Sequence, residues 1–204
     1  NHQGKQSQNK FNTINTFKLL IYKKRYILIL ILGIIFMFLV HGISGWMPKI
    51  LISKGLNIKY ASFLASVPIV IGIISALTIP RFCNNTNRLK ILFILFANVI
   101  IALNLLKFTN EYFFVFGLVL LGISTGSLLT LLINHLAETE DISFNNMGVA
   151  GGLFYSIIEI GGVLGPFSIG LIYDYTQNFN TALSFYIIMI TCSFLPLYIL
   201  KNLR

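Results

Sequence analysis

The sequence predicts an all-α membrane protein, a polytopic bundle of six transmembrane helices, and three observations predict it. Charged residues make up 10% of the 204-residue chain and hydrophobic residues 56%, against roughly 25% charged in a soluble domain. So few charges cannot coat a water-facing surface. The apolar residues also fall into six runs, each near the ~20 residues needed to cross a ~30 Å hydrocarbon layer. Mean hydropathy is +0.82, and the polar residues collect between the runs.

The elements follow in order. Residues 1–25 form a polar, basic tail, and the bundle occupies 26–204. Within the tail, the mildly amphipathic stretch FNTINTFKLLIYKKR (11–25) reads as a connector lying along lipid headgroups. The predicted spans are Tyr26–Trp46, Ala61–Pro80, Leu89–Leu106, Tyr112–Ile133, Met147–Tyr173 and Thr181–Leu200. The break between the third and fourth rests only on Lys107, Thr109, Asn110 and Glu111.

Charge placement sets orientation. With residue 1 inside, 11 Lys and Arg lie on the inner side and 4 on the outer, so both termini are expected in the cytoplasm of a plasma or inner membrane. The loop carrying Glu138, Glu140 and Asp141 then faces inward, and acidic residues weigh little in this rule. Trp46 sits at the outer end of the first span, where belt aromatics belong. The net charge of +9 is scattered between apolar runs and forms no soluble stripe, which argues against nucleic acid and for contact with the lipid bilayer. Cys83 and Cys192 read as free thiols. Nothing has metal-ligand spacing, and no cofactor is expected.

The fifth run, NMGVAGGLFYSIIEIGGVLGPFSIGLIYD, is the most informative. Gly148, Gly152, Tyr155, Glu159, Gly162 and Pro166 follow steps of three or four and share a face, while Gly161 and Gly165 point the other way. Small residues let helix backbones approach closely in lipid, so this pattern predicts a helix packed on both sides. Glu159 lies mid-span, where a charge costs about 2.5–3.5 kcal/mol on insertion scales and usually faces a bundle interior or water-filled cavity. It is the leading candidate for binding substrate or a proton; the bland reading is a protonated carboxyl bonding between helices. His41, Tyr155 and Asn98 are the further candidates. Asn104, Ser124, Thr125 and Ser127 read as cross-helix hydrogen bonders.

Several stretches resemble the major facilitator superfamily. Gly161-Gly162-Val163-Leu164-Gly165-Pro166 followed by Gly170, Asp174 and Phe179 resembles the family's penultimate helix and the loop after it. Gly42, Trp46, Pro48 and Lys54-Gly55-Leu56 resemble the start of its second half. Pro80-Arg81 through Arg88-Leu89-Lys90 falls where the family repeats a basic loop motif, here without its usual Gly and Asp. The resemblance implies a twelve-helix fold in two six-helix halves, with a small-molecule solute bound near the midplane between them. Six spans and a first residue of Asn1 lead to the expectation that this chain holds the second half and that an N-terminal six-helix half is its partner.

The function read from these features is secondary active transport of a small solute by alternating access, coupled to protons or another ion. No nucleotide-binding P-loop is present, and the chain reads as a non-enzyme. Two alternatives come from other classes. Gly42-Ile43-Ser44-Gly45 matches the short GxSG of intramembrane serine proteases, but the later histidine that could serve as base, His135, falls near the inner end of the fourth span while Ser44 lies near the outer end of the first, on opposite sides of the membrane. A non-transporting receptor or subunit is the other.

Overall fold

A computed structural model describes residues 22–138 and 147–203. The amphipathic connector at 11–25 and the acidic loop residues Glu140 and Asp141 therefore lie wholly or mostly outside the described residues. The helices are α1 (Lys24–Ile52), α2 (Ile58–Ala65), α3 (Val67–Thr78), α4 (Arg88–Leu105), α5 (Glu111–Ala137), α6 (Met147–Thr176), α7 (Phe179–Thr191) and α8 (Phe194–Asn202), with a 3₁₀ turn at Ile79–Phe82. No strand occurs among the described residues. They make six stretches long and apolar enough to cross a membrane. The chain is an all-α helical membrane bundle, as the composition predicted.

Two spans that read as continuous are broken, and proline explains both. The second span turns at Ser66, two residues before Pro68. The sixth turns at Cys192-Ser193, just before Pro196. Each proline lacks the N–H that would bond back one turn and crowds that carbonyl. A serine covers each break: Ser66 Oγ donates to the Phe63 carbonyl and Ser193 Oγ to the Ile190 carbonyl, both at 2.6 Å.

The first span is the most buried and the second and fifth the least. The most extensive contact joins α1 to α6, followed by α3 with α5 and α4 with α5. Glycine makes the first two possible. A Cβ at Gly161 would run into the Ile34 carbonyl, and one at Gly165 into that of Phe38. On the opposite helix a Cβ at Gly33 would lie 3.0 Å from the Phe154 ring. A second seam has the same logic: a Cβ at Gly126 would collide with the Gly72 backbone, and one at Gly122 would stand 2.9 Å from Pro68 Cα. The buried Ser75 and Ser127 hydroxyls bond to each other along this seam, and Ser127 Oγ also donates to the Ser75 carbonyl at 3.0 Å.

Within the described residues α6 packs on one side, where the glycine pattern led to the expectation of two. Gly161, Gly162 and Gly165 are buried, but a Cβ at Gly148 or Gly152 would meet nothing within 4 Å. The reason is register. Ala150, Phe154, Ile158, Gly161, Gly165 and Ile169 form the buried stripe, and Gly152 lies on the other side of the helix.

Each end of the bundle is fastened differently. At one end asparagines cap the even-numbered spans: Asn57, Asn110 and Asn178 accept from the backbone N–H of Tyr60, Tyr112 and Asn180 at 2.9, 3.0 and 2.9 Å. Lys54 ties these turns together, its Nζ donating to the Lys107 carbonyl at 2.7 Å and to Asn180 Oδ1 at 2.8 Å. Burial holds this ammonium below the usual lysine pKa. At the other end Arg88, read above as a loop cation, is buried and forks onto the Glu138 carboxylate, with Nη2–Oε1 at 2.6 Å. Tyr26 donates to the Ala150 carbonyl at 3.2 Å, and Arg25 to the Leu203 carbonyl at the same distance.

The seam yields a test. Gly165→Leu should sharply lower monodisperse yield and melting temperature in detergent, because overpacking a closed contact costs on the order of 1–3 kcal/mol. Gly152→Leu should stay close to wild type. Equal losses from both would refute the one-sided seam.

Candidate functional site

The α1–α6 seam brings two of the sequence candidates together. His41 on α1 and Glu159 on α6 stand with Nε2 and Oε2 3.8 Å apart, their side chains 48% and 50% exposed. Glycine makes room for the pair: a Cβ at Gly162 would collide with the Glu159 carboxylate and lie 3.4 Å from the imidazole. Tyr155 is one turn from Glu159 on the same open face, its ring edge-on to Phe154 at 5.9 Å. Both groups lie mid-helix, so two ionisable side chains stand side by side at an open surface deep within the spanning segments. At this separation the two side chains are close enough to attract each other electrostatically but too far apart for a direct hydrogen bond, so each is left able to meet a solute or water.

The helix contact beside the pair is held from both sides. One turn past Gly162, Pro166 leaves the Gly162 carbonyl without its helical partner, and the Trp46 indole N–H donates to the Pro166 carbonyl at 3.0 Å. Behind the seam, Tyr186 on α7 reaches between the helices. Its buried hydroxyl donates to the Gly165 carbonyl at 2.8 Å and lies 3.2 Å from Ser168 Oγ, and a Cβ at Gly42 would strike it. The Phe38 ring packs on Tyr186 at 4.8 Å. Toward the Lys54 end an aromatic cluster packs over the same two helices. Tyr173 stacks on Phe179 at 4.1 Å, Trp46 lies 6.0 Å from Phe179, and Lys49 sits 4.5 Å over the Trp46 ring.

Asn98 stands elsewhere. Its amide donates to the Leu120 carbonyl at 2.9 Å and to Ser124 Oγ at 2.8 Å, which binds α4 to α5 and does not reach the His41–Glu159 pair. The protease constellation is not favoured. Ser44 and Thr125 line one small cavity, and His135 is ten residues further along α5, roughly 15 Å at 1.5 Å per residue.

Sequence reading named His41 and Glu159 but not their pairing. It also missed the Gly72–Gly126 seam, although the four-residue spacing of Gly122 and Gly126 is the same small-residue signal as Gly161 and Gly165. The Tyr186 and Lys54 contacts have no local signature.

No protein-family model matches the chain. A curated protein of Acinetobacter baumannii named quinolone resistance transporter is 31% identical to it over 170 residues, which takes in 78% of this chain and 37% of that protein. The chain thus spans little more than a third of the length of the curated relative it matches. An integral membrane bundle with sequence similarity to a transporter is the class these findings define.

Accessibility checks the geometry. With Cys83 and Cys192 replaced by serine, a cysteine at position 159 or 155 should react with a water-soluble thiol reagent, while one at the buried position 158 should not. Protection at 159 with labelling at 158 would invert the assigned face of α6.

Proposed function

We propose that this chain forms one six-helix half of a secondary transporter of the major facilitator type, with the His41–Glu159 pair at its solute and proton site. The observation that carries the reading is that pair. A carboxylate and an imidazole stand together, half exposed, in the middle of two closely packed spanning helices, a placement that is costly in a bilayer unless it faces a partner or a water-filled path. The similarity to a transporter supports it, as do the sparsely buried second and fifth spans, which offer faces to a second, N-terminal half.

In this reading the central cavity lies between the halves, and Tyr155 and Glu159 line it. Glu159 binds a proton when the cavity opens to one side and releases it on the other, passing it by way of His41. The solute is a planar aromatic drug-like molecule of the kind named for the relative, carried by alternating access. The basic excess supports a topology with both termini, and the Arg88 end, in the cytoplasm of the plasma or inner membrane.

The test uses the full-length transporter in proteoliposomes with norfloxacin as solute. Glu159→Gln should leave the protein folded and reduce pH-gradient-driven accumulation by about tenfold or more, the loss expected when the transported charge is removed. Exchange at equal pH should survive. Normal pH-driven accumulation by the Gln variant would show that Glu159 carries no proton.

A further inference from the structure

A cavity of about 620 Å³ lies at the Arg88 end, away from the His41–Glu159 pair, between the start of the third span and the end of the sixth. Two lysines stand at its rim: Lys90, two residues into α4, and Lys201, one residue from the end of α8. Neither makes a hydrogen bond or ion pair among the described residues, and no acidic side chain lines the cavity. Glu138 at this end is held by Arg88. Below the lysines the wall turns apolar. Phe93 in the wall stacks on Phe194 of the sixth span at 5.6 Å, and Ile94 and Tyr198 stay largely exposed beside it.

The periodicity builds this arrangement. Lys90, Phe93 and Ile94 follow helical steps on α4, and Tyr198 and Lys201 do so on α8. Each helix thus presents a cation at the membrane boundary and an apolar surface one turn deeper. A free anion would meet the two ammonium groups but gain nothing from the wall. A molecule that is anionic at one end and hydrocarbon at the other satisfies both.

We propose that this cavity is a binding site for an anionic phospholipid, phosphatidylglycerol or cardiolipin. The phosphodiester sits between Lys90 and Lys201, with the Tyr198 and Thr86 hydroxyls within the same lining, and an acyl chain lies along Phe93 and Ile94. Basic pockets between spanning helices suit such headgroups, each cation near the surface adding attraction. The lipid also bridges the third and sixth spans at their ends. The site is independent of which solute the protein carries.

Native mass spectrometry of the purified full chain tests this, with phosphatidylglycerol, cardiolipin, phosphatidylcholine and inorganic phosphate as probes. The anionic lipids should stay bound at collision energies that strip phosphatidylcholine. Lys90→Gln with Lys201→Gln should weaken that retention about tenfold or more, in line with the loss of two cations at the surface. Lys90→Arg with Lys201→Arg should preserve it, and so should Lys49→Gln with Lys59→Gln at the other end. Undiminished retention by the first pair, or equal retention of phosphatidylcholine, would overturn the proposal. Displacement of the lipid by millimolar inorganic phosphate would also overturn it, since the cavity would then be a free-anion site.

Discussion

The backbone of α6 touches the backbone of α1 at Gly161 and Gly165, and the rest of the structure depends on that contact. Lipid tails are as apolar as leucine, so no hydrophobic force pushes two spanning helices together. Close packing and polar contacts must supply the attraction. Two glycines four residues apart remove the side chains that would hold the helices away from the Ile34 and Phe38 carbonyls. The register so fixed places Glu159 opposite His41, Trp46 against the Pro166 carbonyl and Tyr186 behind Gly165. A slip of one residue along either helix would dissolve all three relations.

Two pairs of ionisable groups in this bundle follow opposite rules. Arg88 is almost fully buried, and its guanidinium forks onto Glu138 while also reaching Asn85 Oδ1 at 3.3 Å. Only the guanidinium is buried, since the Glu138 side chain is 41% exposed and the Arg88 Nε has no hydrogen-bond partner among the described residues, so losing the carboxylate would leave a buried charge without its main partner. His41 and Glu159 are looser, half exposed and 3.8 Å apart. The first geometry suits a fixed clamp between the third and fourth spans. The second leaves each group able to change partner.

What the sequence made legible was decided by range. Span number and helical class follow from run length and composition, which are local. Glu159 and His41 stood out one by one because polar groups are conspicuous in apolar runs. Their meeting was not legible, since it depends on the register of helices more than a hundred residues apart. Asn98 looked equivalent in the sequence, yet its amide is engaged by Leu120 and Ser124 on the neighbouring helix. Gly148 and Gly152 share composition with Gly161 and Gly165 but not their side of the helix, so among the described residues one pair packs and the other meets no neighbour. The proline breaks at Ser66 and Cys192-Ser193 were readable in principle, because Pro68 and Pro196 stand in plain view within apolar runs.

The indole of Trp46 spans the seam between the first and fifth spans, held by its N–H on the Pro166 carbonyl and flanked by the Lys49 ammonium and the Tyr173 and Phe179 rings. It is also the sole tryptophan in the sequence. Excited at the red edge, where the nine tyrosines do not absorb, the fluorescence of this chain therefore originates at the joint that sets the His41–Glu159 register. Any motion that parts α1 from α6 must break that hydrogen bond and change the charge and polarity around the ring. The bundle thus carries a native optical gauge of its own closure, readable without a label.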